Sequence, residues 1–209
     1  LKNKLNLINS LQTSKGTLLD IGAGTGEFLS VAKENGWQTV GVEPSEKAKS
    51  IALKKGVAFV ENTSDLDDAS IDVITMWHVL EHVPDVEKQI VELKRLLKPG
   101  GTILIAVPNF NSFDAKYYGA FWAAYDVPRH LWHFSKTAIQ SLFKKEGLQL
   151  IKVLPMKFDS FYVSLLSEKY KSGRMNFLKA LYIGLKSNWV GNQKMEYSSH
   201  IYVIKNHKN

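Results

Sequence analysis

Short apolar runs alternate along this chain with longer stretches whose apolar residues recur every three or four positions. The runs Thr17–Ile21, Thr39–Val42, Val57–Val60, Ile71–Met76 and Thr102–Val107 have the length and composition of strands buried on both faces. Between them the apolar spacing becomes helical. Leu1, Leu5, Ile8 and Leu11 mark a helix over residues 1–14. Phe28, Leu29, Ala32 and Trp37 share a second stripe, with Asn35-Gly36 as its stop. A third helix starts at Pro44-Ser45 and runs to about Lys55, and a fourth covers Val86–Leu97 before Lys98-Pro99-Gly100-Gly101. Residues 61–70 read as a polar loop. Strand–helix alternation of this kind predicts an α/β fold, a parallel sheet doubly wound with helices on both faces.

Composition narrows the class. A chain of 209 residues suits one domain, residues 1–209, with a full core. It has no cysteine, so disulfides and thiolate metal sites are excluded. No run approaches the ~20 apolar residues of a membrane span, and LKNKLNLINS lacks a signal-peptide core. A cytoplasmic protein is expected. The chain opens on Leu1 rather than Met, as a piece lacking an upstream segment would. The net charge of +7 is uneven: residues 1–109 carry 12 Lys/Arg against 14 Asp/Glu, residues 110–209 carry 15 against 6. The basic half suits an anionic partner or simply solvated helix faces.

The chemistry starts where the first strand breaks into Gly22-Ala23-Gly24-Thr25-Gly26. Glycines permit a sharp turn and leave no Cβ between backbone and ligand. A helix starting at Gly26 would point free N–H groups at that ligand. Glu43 follows the second strand, where a carboxylate can accept hydrogen bonds from ribose hydroxyls. A dinucleotide site requires G-x-G-x-x-G, but Glu27 stands in the last place, and no Lys-Ser/Thr follows to make a P-loop. Asp20 beside the turn would repel a diphosphate and would suit an ammonium group.

Leu19-Asp20-Ile21-Gly22-Ala23-Gly24-Thr25-Gly26 resembles the first motif of class I S-adenosylmethionine-dependent methyltransferases. The resemblance implies a Rossmann-like seven-stranded sheet, order 3-2-1-4-5-7-6 with the last strand antiparallel. Leu148–Leu154 would then be the sixth strand and Ser199–Lys205 the seventh. It implies S-adenosyl-L-methionine as methyl donor, held by Asp20, Gly22, Ala23, Gly24, Gly26, Glu43 and Pro44. Asn62 and Thr63 would sit by the adenine, and Met76 and Trp77 by the methionine moiety. Asn62 stands where many relatives have Asp. Segments 108–134, dense in aromatics, and 155–198 lie outside this scaffold and read as loops covering an acceptor.

His78-Val79-Leu80-Glu81-His82 matches H-x-x-E-H as text, but Pro84 breaks the continuous helix that zinc proteolysis needs. His82 reads as a hydrogen-bonded structural histidine. Similarity to ubiquinone-pathway O-methyltransferases also raises a divalent ion at Glu81/His82, although no residue is assigned to a metal. Tyr125–Ser135 resembles the P-x-H-L-x-H-F-S segment of a bacterial methyltransferase subgroup, with Ser135 capping a helix over Lys136–Glu146. Methyl transfer to a hydroxyl needs close approach, exclusion of water and a base. His130 is the first candidate base, His133 the second, and Asp126 is grouped with them; the alternative is that both histidines brace the loop.

The expected activity is methyl transfer to a small or medium acceptor, at oxygen by resemblance. N-methylation of a small molecule and a non-catalytic S-adenosylmethionine-binding module are the alternatives. No nucleic-acid partner is expected, because no Asn-Pro-Pro-Tyr-type motif is present. A monomer or homodimer is expected, with no stable membrane insertion. Phe177, Leu178, Leu181, Tyr182 and Leu185, with Lys179 and Lys186, form an apolar stripe expected to pack on the domain or on a second subunit rather than on lipid.

Overall fold

The computed structural model describes residues 1–206. Its sheet has seven strands in the order β3-β2-β1-β4-β5-β7-β6. Strands β1 (Thr17–Ile21), β2 (Gln38–Val42), β3 (Ala58–Phe59), β4 (Ile71–Trp77) and β5 (Leu97–Pro108) run parallel. Strand β7 (Ser199–Asn206) is antiparallel to β5 and to β6 (Leu148–Pro155). The fold is therefore the expected one, with two local differences. The edge strand β3 has two paired residues rather than four, because the polar stretch from Glu61 leaves it nothing further to pack. Lys98–Gly101 is a bulge inside β5 rather than a turn before it: Ile71 pairs with Leu97, and the next pair is Val73 with Thr102.

Helices α1 (Lys2–Leu11), α2 (Glu27–Glu34) and α3 (Glu46–Leu53) flank one face of the sheet; Leu5, Ile8, Phe28, Leu29 and Trp37 close over Leu18, Val73 and Leu104. On the other face, Ile90 and Leu93 of α4 (Val86–Leu96) and Ile139 and Phe143 of α6 (Lys136–Lys145) cover Ile74, Ile103, Ile105 and Tyr202. Each fully buried side chain of this size contributes about 1.5–3 kcal/mol. Local caps set the helix starts: Ser45 Oγ accepts from Ala48 N, Asp85 Oδ1 from Lys88 N and Ser135 Oγ from Ala138 N.

The two segments outside the scaffold fold together. Residues 108–134 hold α5 (Phe113–Tyr118) and two short 3₁₀ turns. Residues 155–198 form a helical hairpin rather than a loop, α7 (Asp159–Ser172) turning at Gly173 into α8 (Phe177–Lys194). A satellite core of Ala115, Tyr118, Trp122, Ala123, Ala124, Val163 and Ile183 joins them. At its centre the buried Asp114 carboxylate accepts from Trp122 Nε1 (2.8 Å), Ser187 Oγ (2.5 Å) and Ser198 Oγ (2.7 Å). We refer to this unit as the cap.

Candidate functional site

The first half of the site lies at the carboxyl ends of β1, β2 and β4. Three glycines of the turn have left-handed φ, +74° at Gly22, +56° at Gly24 and +76° at Gly26, but their surroundings differ. A Cβ at Gly22 would sit 2.4 Å from Val79, and one at Gly26 2.6 Å from Ala52 Cβ, so both glycines are required by packing. A Cβ at Gly24 would meet nothing within 4 Å, which marks the open side where a ligand can lie.

The amides of the turn ahead of α2 are themselves engaged. Gly22 N and Ala23 N donate to Val42 O, Gly26 N donates to Ala23 O, and Gly24 N donates to Glu43 Oε2 at 2.8 Å. Helix α2 itself begins at Glu27, with Gly26 as its cap. A diphosphate would need those donors, so this arrangement suits a ligand without one. Glu43 Oε1 also accepts from Ser45 N, which fixes the carboxylate at the end of β2 and leaves lone pairs for hydroxyl donors. Pro44 lies between these residues, just ahead of the α3 cap.

Asp20 is 3% exposed and accepts from Thr75 Oγ1 at 2.5 Å. Burial lifts its carboxyl to about 7, against the opposing pull of Thr75 and of the Lys4 charge. Lys4, on α1, stands 4.0 Å from the centroid of the Trp77 ring, and burial lowers its own pKa. Trp77 Nε1 is buried without a partner. Asp20 and Lys4 thus lie close enough for their charges to interact, a carboxylate and an ammonium at the end of β1 near the glycine turn. Met76 differs: it is fully buried in the core with Leu80 and Ile105, and its side chain faces away from this group. Asn62 and Thr63 begin the loop after β3, where Asn62 N donates to Asp65 Oδ2. Arg95 anchors that loop through Thr63 O, Leu66 O and Asp68.

The second half is a cavity of about 340 Å³ between the sheet ends and the cap. His78 and Glu81, just past β4, line it with Asp126, Arg129 and His130 from the aromatic segment and Asp159 and Tyr162 of α7. Glu81 lies within a single 3₁₀ turn, Leu80–His82, so His78, Glu81 and His82 do not form a zinc-protease helix. His78 has φ +57°, which aims its ring between Glu81 Oε1 (3.3 Å) and Asp159 Oδ2 (3.1 Å). Burial pulls this imidazole down, but the two carboxylates outweigh it and raise it to about 9, so it is cationic at neutral pH.

His130 is the opposite case. Its Nδ1 lies 2.8 Å from Ala124 O, and a carbonyl can only accept, so Nδ1 carries the proton and Nε2 the lone pair. Burial lowers its pKa and keeps it neutral. Asp126 Oδ2 stands 3.8 Å from that Nε2, while Asp126 Oδ1 pairs with Arg129. His133 does not join the cavity: its Nε2 faces Tyr125 O at 3.0 Å and its ring meets the Tyr125 ring edge-on. His82 Nδ1 bonds Arg129 O at 2.9 Å.

Sequence reasoning missed Lys4, His78 and Asp159 as site residues. Lys4 reads as one more solvated lysine, and Asp159 lies 81 positions from His78. The divalent ion raised at Glu81/His82 gains a third group that the spacing did not assign to it: ligand atoms of Glu81, His82 and His130 lie within 4.8 Å of one another, and Glu81 Oε2 is buried without a partner. Both histidines commit Nδ1 to a carbonyl, which leaves Nε2 to ligate, so the trio could hold a divalent cation.

Comparison with known proteins identifies the family. Residues 2–153 match the model of a family described as "Methyltransferase domain". The chain belongs to that family, and the class is that of the S-adenosylmethionine-dependent methyltransferases. Similar curated proteins are named ubiquinone biosynthesis O-methyltransferase. That of Idiomarina loihiensis is 34% identical over 45% of this chain and 43% of its own length. That of Saccharophagus degradans is 27% identical over 71% and 70%. That of Serratia proteamaculans is 34% identical over 53% and 52%. The chain thus spans about half the length of several curated relatives it matches. Among solved structures, a Thermotoga maritima methyltransferase described as a possible histamine N-methyltransferase superposes with TM-score 0.65 at 23% identity, covering 97% of this chain and 87% of that one. Haemonchus contortus phosphoethanolamine N-methyltransferase 2, in complex with S-adenosyl-L-methionine, gives 0.63 at 23%, covering 100% and 53%. Both share the fold.

Proposed function

We propose that this chain transfers a methyl group from S-adenosylmethionine to a hydroxyl of a small or medium acceptor held in the 340 Å³ cavity. The donor, when bound, supplies an electrophilic methyl group on a sulfonium. Asp20 and Lys4 hold its amino-acid end as a complementary pair, Glu43 its ribose, and Asn62 and Thr63 border its adenine. His78 directly follows Trp77, so the cavity begins where the donor group ends. The acceptor oxygen forms the new O–C bond as the S–C bond breaks, and its proton passes to His130 Nε2. Arg129 and the cationic His78 favour the developing oxyanion. The cap excludes water.

The observation that carries this reading is the tautomer of His130: its Nδ1 proton is committed to Ala124 O, which leaves a basic nitrogen facing the cavity. His130→Ala is expected to lower turnover on a hydroxyl acceptor roughly 10²–10⁴-fold with donor affinity unchanged by calorimetry. His133→Ala should change turnover little. Full activity of His130→Ala on an amine acceptor would favour N-methylation, which needs less help from a base. Donor binding without turnover across acceptor panels would favour a binding module. The Glu81–His82–His130 trio supports a second reading, in which a divalent cation binds the acceptor oxygen and draws on the same nitrogen. Loss of turnover on chelation and its return with added cation would select that reading.

A further inference from the structure

Helix α8 is turned inside out for a water-soluble hairpin. Its buried positions are Ala180, Ile183, Gly184, Ser187 and Gly191, four of the five small. A Cβ at Gly184 would lie 2.5 Å from Phe161, and one at Gly191 2.7 Å from Tyr197, so close approach is what these residues supply. The facing helix is similar: Ser160, Ser164 and Ser167 of α7 are buried, and Ser160 Oγ donates to Gly184 O at 3.2 Å. The large apolar residues point the other way. Phe177, Leu178, Leu181, Tyr182, Leu185 and Trp189 fall on one side at 3.6 residues per turn, with Leu178 83% and Trp189 62% exposed. Phe158, at the entry to α7, is also 83% exposed. The stripe, expected to pack on the domain or on a second subunit, does not pack on the domain but faces outward, and a contiguous apolar face of this kind marks an interaction surface.

Charge selects the occupant. Residues 155–198 carry seven Lys/Arg against three Asp/Glu, a balance of +4. All three acids turn inward, Asp159 to His78, Glu168 to Lys179 and Glu196 to Lys136. Lys157, Lys169, Lys171, Arg174, Lys186 and Lys194 remain exposed on the hairpin. Lys171 and Lys186 also lie over the Tyr117 and Phe113 rings, and a second copy would bring two hairpins of like net charge together. Small-residue helix pairing with large apolar side chains outward is how helices meet when lipid rather than water surrounds them. No helix among the described residues is long and apolar enough to cross a membrane.

We propose that the outer face of the α7–α8 hairpin docks flat on an anionic lipid surface, its aromatic and leucine side chains entering the interface and its lysines meeting the headgroups. Tyr162 and Tyr170 of α7 both line the acceptor cavity and reach solvent, so this hairpin also stands at the cavity's edge.

Sedimentation of the chain with phosphatidylcholine vesicles, alone or mixed with phosphatidylglycerol, tests this docking without any acceptor. Binding to the mixed vesicles, weakened by salt, is expected. Leu178→Ser/Leu181→Ser should weaken it roughly tenfold or more, and Lys169→Glu/Lys171→Glu/Arg174→Glu should do likewise. These positions are exposed, and unchanged thermal unfolding would show that the fold is kept. Protein left in the supernatant with anionic vesicles would overturn the proposal. So would equal uptake by pure phosphatidylcholine. A dimer seen by light scattering that becomes monomeric in Leu178→Ser/Leu181→Ser would assign the face to a second copy instead.

Discussion

The donor half of the site and the cap are built in different ways. Around the donor, function sits in consecutive residues: Asp20 through Gly26 form one turn, and Glu43 is tied to it by one hydrogen bond to Gly24 N. The cap instead depends on Asp114 bonding Trp122, Ser187 and Ser198, partners 8, 73 and 84 positions away. A turn of fixed φ can be read from its glycines. A polar knot of that span forms only after both insertions have folded against each other. The donor half should therefore survive damage to the cap, and damage to either should leave the sheet intact.

The largest effect should come from breaking the knot. Asp114→Ala strands three buried donors and is expected to destabilise the cap by about 3 kcal/mol. Limited proteolysis should then cut within residues 113–134, turnover should fail, and calorimetry should still show near-normal donor affinity. Equal loss of donor binding would mean that the two halves are one cooperative unit.

Next comes the donor half alone. Asp20→Asn removes the charge proposed to face the donor ammonium and should weaken donor binding roughly 100-fold, about 2.7 kcal/mol. The same change should stabilise the free protein. Burial raises the Asp20 pKa from 3.8 to about 7, so ionised Asp20 costs stability as pH rises between those values and throughout the range above. In the wild type, donor affinity should fall about tenfold per unit as pH drops below 7, because binding must first remove a proton. Asp20→Asn should flatten that profile.

The smallest effect should appear where the halves meet, at His78 between Glu81 and Asp159. Its raised pKa, about 9, stabilises the fold fully below pH 6.5, and that stabilisation is lost as pH rises through 9. The side chain is 38% exposed, so solvent screening leaves about 1 kcal/mol. Chemical denaturation of Asp159→Asn should show that loss already at neutral pH and little further change up to pH 9.5.

Much of the fold was legible because its signals are local. Buried parallel strands must be continuously apolar, and Ser45 and Ser135 cap helices within three residues of themselves. The bulge at Lys98–Gly101 was misread because a Pro-Gly-Gly run looks like a turn unless its pairing partners are known. Helix α8 was recognised as an apolar stripe, but whether that stripe met the domain or something outside it was left open, because hydrophobicity alone does not separate a core face from an outward one.

By itself the sequence determined the strand–helix order, the turn from Gly22 to Gly26 and the acids that flank it, since each follows from backbone conformation and burial within a few residues. Only the tertiary structure decided which histidine is neutral and which is cationic. His130 and His78 are the same side chain, and the carbonyl of Ala124 and the carboxylate of Asp159, brought in from other segments, give them opposite protonation states. Folding likewise set Lys4 against Trp77 and turned the large residues of α8 outward, because contacts between distant segments are fixed by packing rather than by spacing.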